Sequence, residues 1–386
     1  MKCIELTPRA NWISKVRADG CLNPVYESER DTTEQDWNES RAYVLTSDQV
    51  EKLRQATDEV TSLIITAMDS ALGNTTAMKS MGIPPQTQTL MKRAWMNRER
   101  NLAIRLKWSF EGDTPKLLSI DADALDGFVL GGPAQRHWLN DVFPAKRQWN
   151  DIEVRLTDTL GNLGVKQLAF AAETDDQSML NEIGLFRKLA GNRLDTRTIT
   201  LENIGYNEQG NAFVDMANNV ELEAIYAMAS MSLLVEQEFA EYWFAKNPPR
   251  TRFFEPIWVL LPSSKAFMAW LYNQNPSHPN LLPTFLDYDG AADVLGETYV
   301  RKPIWGVDGA NVEITVDGKV IAFQEDAEAD TKAEKILQQY CPLPSFGKRY
   351  AVISTWIIGG RAAGLTIRDG GLITDYFGPT VPHVID

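Results

Sequence analysis

The sequence predicts an α+β fold with mixed and antiparallel sheets and an inserted βαβ-type layer. Three observations carry that reading. A long capped amphipathic pattern marks one helix early in the chain. Strand and helix patterns alternate through the middle. Two hairpin signals in the last stretch close antiparallel strands. At 386 residues the chain exceeds what one core usually organises, given roughly 150 residues per domain. It divides into an N-terminal helical and irregular region packing on the core (1–100), a central α/β region (101–250) and a C-terminal region (251–386).

The first forty-five residues are polar with scattered aromatics, Trp12, Tyr26, Trp37 and Tyr43. From Ser47 to Leu72 the apolar residues Val50, Leu53, Val60, Ile64, Met68 and Ala71 fall on one helical stripe. Thr46 with Gln49 forms a capping-box pattern, and Gly73-Asn74 is a stop signal. Leu102–Phe110 and Lys116–Ile120 read as a strand pair across Glu111-Gly112-Asp113. A helix near Asp151–Leu160, a strand Val165–Ala171, a helix Ser178–Ala190 and a strand Arg197–Leu201 follow, the βαβ alternation. Glu221–Trp243 is read as a helix ended by Pro248-Pro249. A further helix starts at Ser263 or Ser264 with Lys265 in its first turn, where a cation opposes the helix dipole and needs solvent or an anionic partner. Asp317-Gly318 and Gly359-Gly360 each join two apolar runs as hairpin turns. The acidic stretch Gln324–Lys335 between them reads as a solvated loop.

Composition bounds function. Hydrophobic residues make up 44% and charged residues 23% of the chain, which excludes global disorder. Acids exceed bases 52 to 38, a net charge of −14, so a general nucleic-acid or anionic-membrane binder is not expected. A local cationic pocket for a nucleotide remains compatible. Three cysteines without a CxxC pair and three dispersed histidines make neither a disulfide framework nor a zinc site. A metal here would be Mg²⁺ on oxygen ligands. The acid at Glu5 interrupts any signal-peptide pattern, and the longest apolar runs are too short to span a bilayer, so a cytoplasmic protein is expected.

Tyr299–Val312 is the most informative segment: a strand delivers Lys302, a loop with Gly306 and Gly309 follows, and a strand resumes. Glycines let backbone N–H groups approach phosphate oxygens, and a lysine neutralises them. By spacing alone an ordinary turn fits as well. The wider pattern decides more. Arg252-Phe253-Phe254-Glu255-Pro256-Ile257-Trp258, Ser264-Lys265-Ala266, His278-Pro279-Asn280-Leu281-Leu282-Pro283, Tyr299–Val312, Gln338-Gln339 with Pro342-Leu343-Pro344-Ser345-Phe346, Ser354–Arg368, and Leu372-Ile373-Thr374 with Val381-Pro382-His383 occur in order. This series resembles the glutathionylspermidine synthase family, in particular its short members without the amidase domain. Arg105-Leu106 and Lys116-Leu117-Leu118 continue the match upstream.

The resemblance implies an ATP-grasp-like fold, with 101–250 on the substrate and metal side and 251–386 binding the nucleotide. It implies an ATP-dependent carbon–nitrogen ligase that joins a peptide-like carboxylate to an amine through an acyl phosphate, with Mg²⁺ spreading phosphate charge. Neither acid nor amine is specified, and a homo-oligomer or assembly partner stays open. Residue by residue, Lys265 and Lys302 would clamp phosphates, Gly309 and Ala310 would lie in a lid loop, and Gln338, Gln339 and Leu372 would border the nucleotide. Asn311 would face it too, and Arg105 and Arg368 would assist catalysis. Asp121 and Asp123 are the candidate metal ligands. The family's carboxylates elsewhere on that wall are replaced by Lys107 and Ser119, and its lid arginine by Val307. Gly131-Gly132-Pro133 interrupts a family helix, and Met228-Ala229-Ser230-Met231 replaces a family P-W-E segment. These departures allow either a ligase of altered specificity or a catalytically degenerate relative that binds nucleotide or serves a structural role.

Overall fold

The computed structural model describes residues 1–28, 32–123, 125–173, 176–245, 247–288, 290–326, 334–375 and 377–386. It is a mixed α/β architecture of several sheets. The largest is antiparallel, in the order Thr380–Val381, Arg361–Gly370, Arg349–Ile358, Ala103–Ser109, Lys116–Asp121, with Ser345–Phe346 paired to Arg349–Ile358 off that path. Its central hairpin turns at Gly359 and Gly360, both at positive φ (58° and 76°), the conformation that glycine adopts without a Cβ penalty. A second antiparallel sheet runs Thr284–Leu286, Lys335–Gln339, Tyr299–Pro303, Glu313–Val316, Lys319–Phe323. Its last hairpin closes at Asp317-Gly318, as the turn chemistry predicts.

The helix Ser47–Leu72 carries the complete capping box: Gln49 N–H donates to Thr46 Oγ1, and Thr46 N–H donates to Gln49 Oε1. Its apolar stripe packs on the large sheet, where the buried Thr57 and Thr355 hydroxyls meet at 2.8 Å. The central alternation forms a four-stranded parallel sheet in the order Arg252–Phe254, Ala224–Ala227, Gln167–Ala172, Asp195–Thr200, with the helix Gln177–Ala190 as a crossover.

One expectation is overturned there. Glu221–Trp243 is not a continuous helix. Val220–Glu221 and Ala224–Ala227 are strands, and only Met231–Leu234 and Ala240–Trp243 are helical turns. All four residues of Ala224–Ala227 are buried between parallel neighbours. A strand buried on both faces has a continuous apolar pattern that periodicity cannot separate from a buried helix. Gly131-Gly132-Pro133 does not break its helix either: Leu130–Ala134 makes a single π turn that runs directly into the helix Gln135–Val142.

The N-terminal stretch is tied down by pairing. Arg41–Leu45 lies between Lys2–Glu5 and the C-terminal strand His383–Ile385. The Arg41 guanidinium grips Asp369 on the large sheet, and Tyr43 donates its hydroxyl to the same carboxylate at 2.7 Å, all buried. Most of the acidic stretch, residues 327–333, lies outside the described residues.

Candidate functional site

A cleft of about 960 Å³ opens between the two antiparallel sheets, at the upper end of the roughly 300–1,000 Å³ typical of small-molecule sites. Thirteen of the candidate residues line it: Arg105, Lys107, Ser119, Asp121, Asp123, Lys265, Lys302, Gly309, Ala310, Gln338, Gln339, Arg368 and Leu372. Asn311 is the exception. It is buried at a positive φ of 51° and clips the loop by bonding both ways with the Asp326 backbone. Its type serves the loop's conformation.

One wall is the hairpin Ala103–Ser109/Lys116–Asp121. Strand alternation puts Leu106 and Trp108 in the core and Arg105 and Lys107 on the cleft face. The register sets Arg105 opposite Asp121 and Lys107 opposite Ser119. Lys107 Nζ lies 2.9 Å from Asp121 Oδ2, and Arg105 reaches the same oxygen at 3.0 Å. Arg105 also donates to Asp126 Oδ1 at 3.0 Å and lies over the Trp356 ring. Burial alone would raise the Asp121 carboxyl. The Lys107 and Arg105 cations overcome it and hold Asp121 well below the usual carboxylate range. Asp123 is pushed up by burial, against the hydroxyl of Ser263 and the N–H of Met231, each 2.6 Å from its oxygens.

The opposite wall supplies two lysines. Lys302 is buried on Tyr299–Pro303 and donates to Leu118 O (2.9 Å) and Gln338 Oε1 (2.7 Å). Burial first, then the like charges of Lys265 and Lys107, lower its pKa to about 7. Lys265 immediately precedes the helix Ala266–Gln274 instead of lying in its first turn, and it donates to the carbonyl of Gly306 in the glycine loop that follows Tyr299–Pro303. Burial lowers it to about 8. Arg368 holds the loop's other side, donating to Asp308 Oδ1 at 3.2 Å and to the carbonyls of Asp375 and Gly378 at 2.8 Å. Gly309 has φ +79°, and a Cβ there would come within 2.6 Å of Ile373, so only glycine fits the loop against that side chain.

The motif residues outside the cleft hold this hairpin. Both Glu255 oxygens accept backbone N–H groups at the start of its first strand, Leu102 (2.7 Å) and Ala103 (3.2 Å). Asn280 accepts from Leu117 N through its carbonyl and donates its side chain to Pro115 O, both at 2.8 Å. Ser264 and Trp258 donate to the carbonyls of Met81 and Glu99. Sequence reasoning missed Asp126 and Ser263, the partners that fix Arg105 and Asp123. Asp126 lies in a loop and Ser263 ends the short helix Leu260–Ser263, neither with a distinguishing pattern.

The residues present do not fit Mg²⁺. A magnesium site needs carboxylate oxygens free to enter near-octahedral coordination. Here Asp121 is shared by two protein cations, and both Asp123 oxygens accept short hydrogen bonds. Among the described residues no group of three histidine, cysteine or acidic side chains converges to hold a metal ion. On this wall Asp121 is paired with Lys107 and Arg105, and Asp123 accepts from Ser263 and Met231.

The family model for the glutathionylspermidine synthase preATP-grasp domain matches residues 3–386. The chain belongs to this family. A putative acid–amine ligase of Haemophilus influenzae is 26% identical, covering 90% of each chain. Trypanothione synthetase of Crithidia fasciculata is 23% identical over 77% of this chain, and the bifunctional glutathionylspermidine synthetase/amidase of Escherichia coli is 20% identical over 84%. The chain spans about half the length of these last two, 49% and 56%. Its fold is similar to that of a glutathione synthetase-like effector from Globodera pallida in its apo form, with a TM-score of 0.54 and 10% identity over 97% of this chain and 96% of that one. Among the described residues no helix is long and apolar enough to cross a membrane.

Proposed function

We propose that this chain is an ATP-grasp-like, ATP-dependent acid–amine ligase of the glutathionylspermidine synthase type. The observation that carries the reading is the convergence of Lys265, Lys302, Arg105 and Arg368, from four separated parts of the chain, on one nucleotide-sized cleft. In this reading Gln338, Gln339 and Leu372 border the base and Lys265 and Lys302 meet the phosphates. A substrate carboxylate oxygen attacks the γ-phosphorus and ADP leaves. An amine then attacks the acyl carbon and expels inorganic phosphate. Arg105 and Arg368, which both line the cleft, supply guanidinium groups to stabilise charge developing on the transferring group. The fixed hairpin and the glycine lid position the reactants and limit water.

A second reading has its own observation. The pairing of Asp121 Oδ2 with both Lys107 and Arg105 favours a catalytically degenerate relative that binds nucleotide without turnover. One experiment separates them: ADP release measured with ATP across a panel of peptide acids and polyamines, beside ATP-dependent melting. Substrate-dependent ADP release with a coupled product supports the ligase. A melting shift without turnover supports the degenerate relative, because a ligand of the folded state alone raises stability. Absence of both overturns the nucleotide assignment.

A further inference from the structure

The cleft's charges are arranged unevenly. Among the described residues Lys265 and Lys302 donate only to neutral carbonyl oxygens, Gly306, Leu118 and the Gln338 side chain, and form no ion pair with a carboxylate. Lys107 stands on the facing wall and acts on both of them as a like charge, with Asp121 as the opposing carboxylate they share. Asp121 is itself divided between Lys107 and Arg105. Three ammonium groups around one shared carboxylate form a local deficit of negative charge in a partly desolvated site, and such a deficit is filled by an anion.

The acids that could draw a metal into the same space are otherwise occupied. Asp126 pairs with Arg105, Asp308 with Arg368, and Asp176 caps the helix Gln177–Ala190 by accepting from Met179 N. Asp123 accepts from Ser263 and Met231. Glu173 is the remaining acid of the lining. Asp121 is the one carboxylate that all three lysines share, and Asp123 and Asp308, which act further on Lys265, are held by their own donors, so the space is a poor place for a small, strongly hydrated dication.

We propose that Lys107, Lys265 and Lys302 hold the polyphosphate of the nucleotide directly, with no divalent cation between protein and phosphate. The inference rests on the nucleotide reading above and adds to it a preference for the free triphosphate over its magnesium complex. Lys107 is the residue that sets the preference. It reaches in from the wall opposite Lys302, so a phosphate chain lying between the sheets meets cations on both sides. Ser119, its cross-strand neighbour, offers a neutral hydroxyl that suits a phosphate oxygen.

The test is calorimetric titration of the whole protein with ATP, once in EDTA and once in millimolar magnesium chloride, repeated on Lys107→Gln. The expected result is binding in EDTA at least as tight as in magnesium, weakened by about tenfold in K107Q, the scale of one charged hydrogen bond. Melting temperatures without ligand confirm that K107Q folds, and Lys107→Arg, which keeps the charge, restores binding in EDTA. ATP binding that occurs only with magnesium overturns this inference and leaves the nucleotide reading standing. Unchanged EDTA binding in K107Q also overturns it. Absence of binding in both media overturns the two together.

Discussion

Exchanging Lys107→Asp and Ser119→Glu together should create a magnesium site on the hairpin wall. The two positions face each other across the ladder, and Asp121 lies beside both, so three carboxylates would share one face. At about 4 Å and an effective dielectric near 20, a pair of unit charges interacts by about 4 kcal/mol. Turning an ammonium into a carboxylate beside a dication therefore swings the interaction through about 16 kcal/mol before screening. The Lys107 and Asp121 side chains are 23% and 24% exposed, so water and salt remove most of that. If about an eighth survives, roughly 2 kcal/mol, magnesium affinity rises about thirtyfold. The exchange also releases Asp121 from its 2.9 Å ion pair with Lys107. Calorimetric titration with magnesium chloride measures the affinity, and ADP release measures the consequence. Robust magnesium-dependent ATP hydrolysis in the unmodified protein, with no rise in the double variant, would refute this account of the wall.

Nucleotide affinity should fall as pH rises from about 6.5 to about 9, since Lys302 and Lys265 lose their protons near 7 and 8; titration at constant ionic strength checks it, and a flat profile contradicts it. Lys302→Met should abolish ATP binding yet raise the unfolding free energy at pH 7 by about 1–3 kcal/mol, because desolvation relief exceeds two lost hydrogen bonds. The folded chain binds fewer protons at Lys302 than the unfolded chain between about 7 and 10.5, so this group adds stability as pH rises across that window, a slope that urea unfolding should find missing in K302M. Arg41→Met should cost about 3–5 kcal/mol in the same assay, since it leaves buried Asp369 with only the Tyr43 hydroxyl and the more distant Arg349 at 3.7 Å. Gly309→Val should weaken nucleotide binding, through a β-branched residue at φ +79° against Ile373, while leaving the core sheets' melting temperature nearly unchanged.

Local chemistry was enough for much of the fold. The Thr46–Gln49 capping box, the stripe of Ser47–Leu72 and the turns at Asp317-Gly318 and Gly359-Gly360 depend on atoms a few residues apart. Their outcome is therefore written in short windows. The same holds for the ordered motif series, which led to the family and to candidate residues that, apart from Asn311, line the cleft. Where burial replaced amphipathicity the reading failed. Ala224–Ala227 is enclosed by parallel strands, so its apolar run carries no period to show that it is extended.

The charge state of the cleft was decided by tertiary structure. Lys107 in the sequence is a lysine where the family pattern has a carboxylate. Only the pairing of Ala103–Ser109 with Lys116–Asp121 sets it against Asp121, already claimed by Arg105. Asp126, Ser263 and Asp308 became partners because segments distant in the chain fold beside the wall and the glycine loop. Asn311 keeps the expected type but turns away to bind Asp326. Sequence periodicity reports which face a side chain takes along one element. Which charges meet across the cleft depends on long-range register and packing, and electrostatic energy depends on those distances and on the water excluded around them.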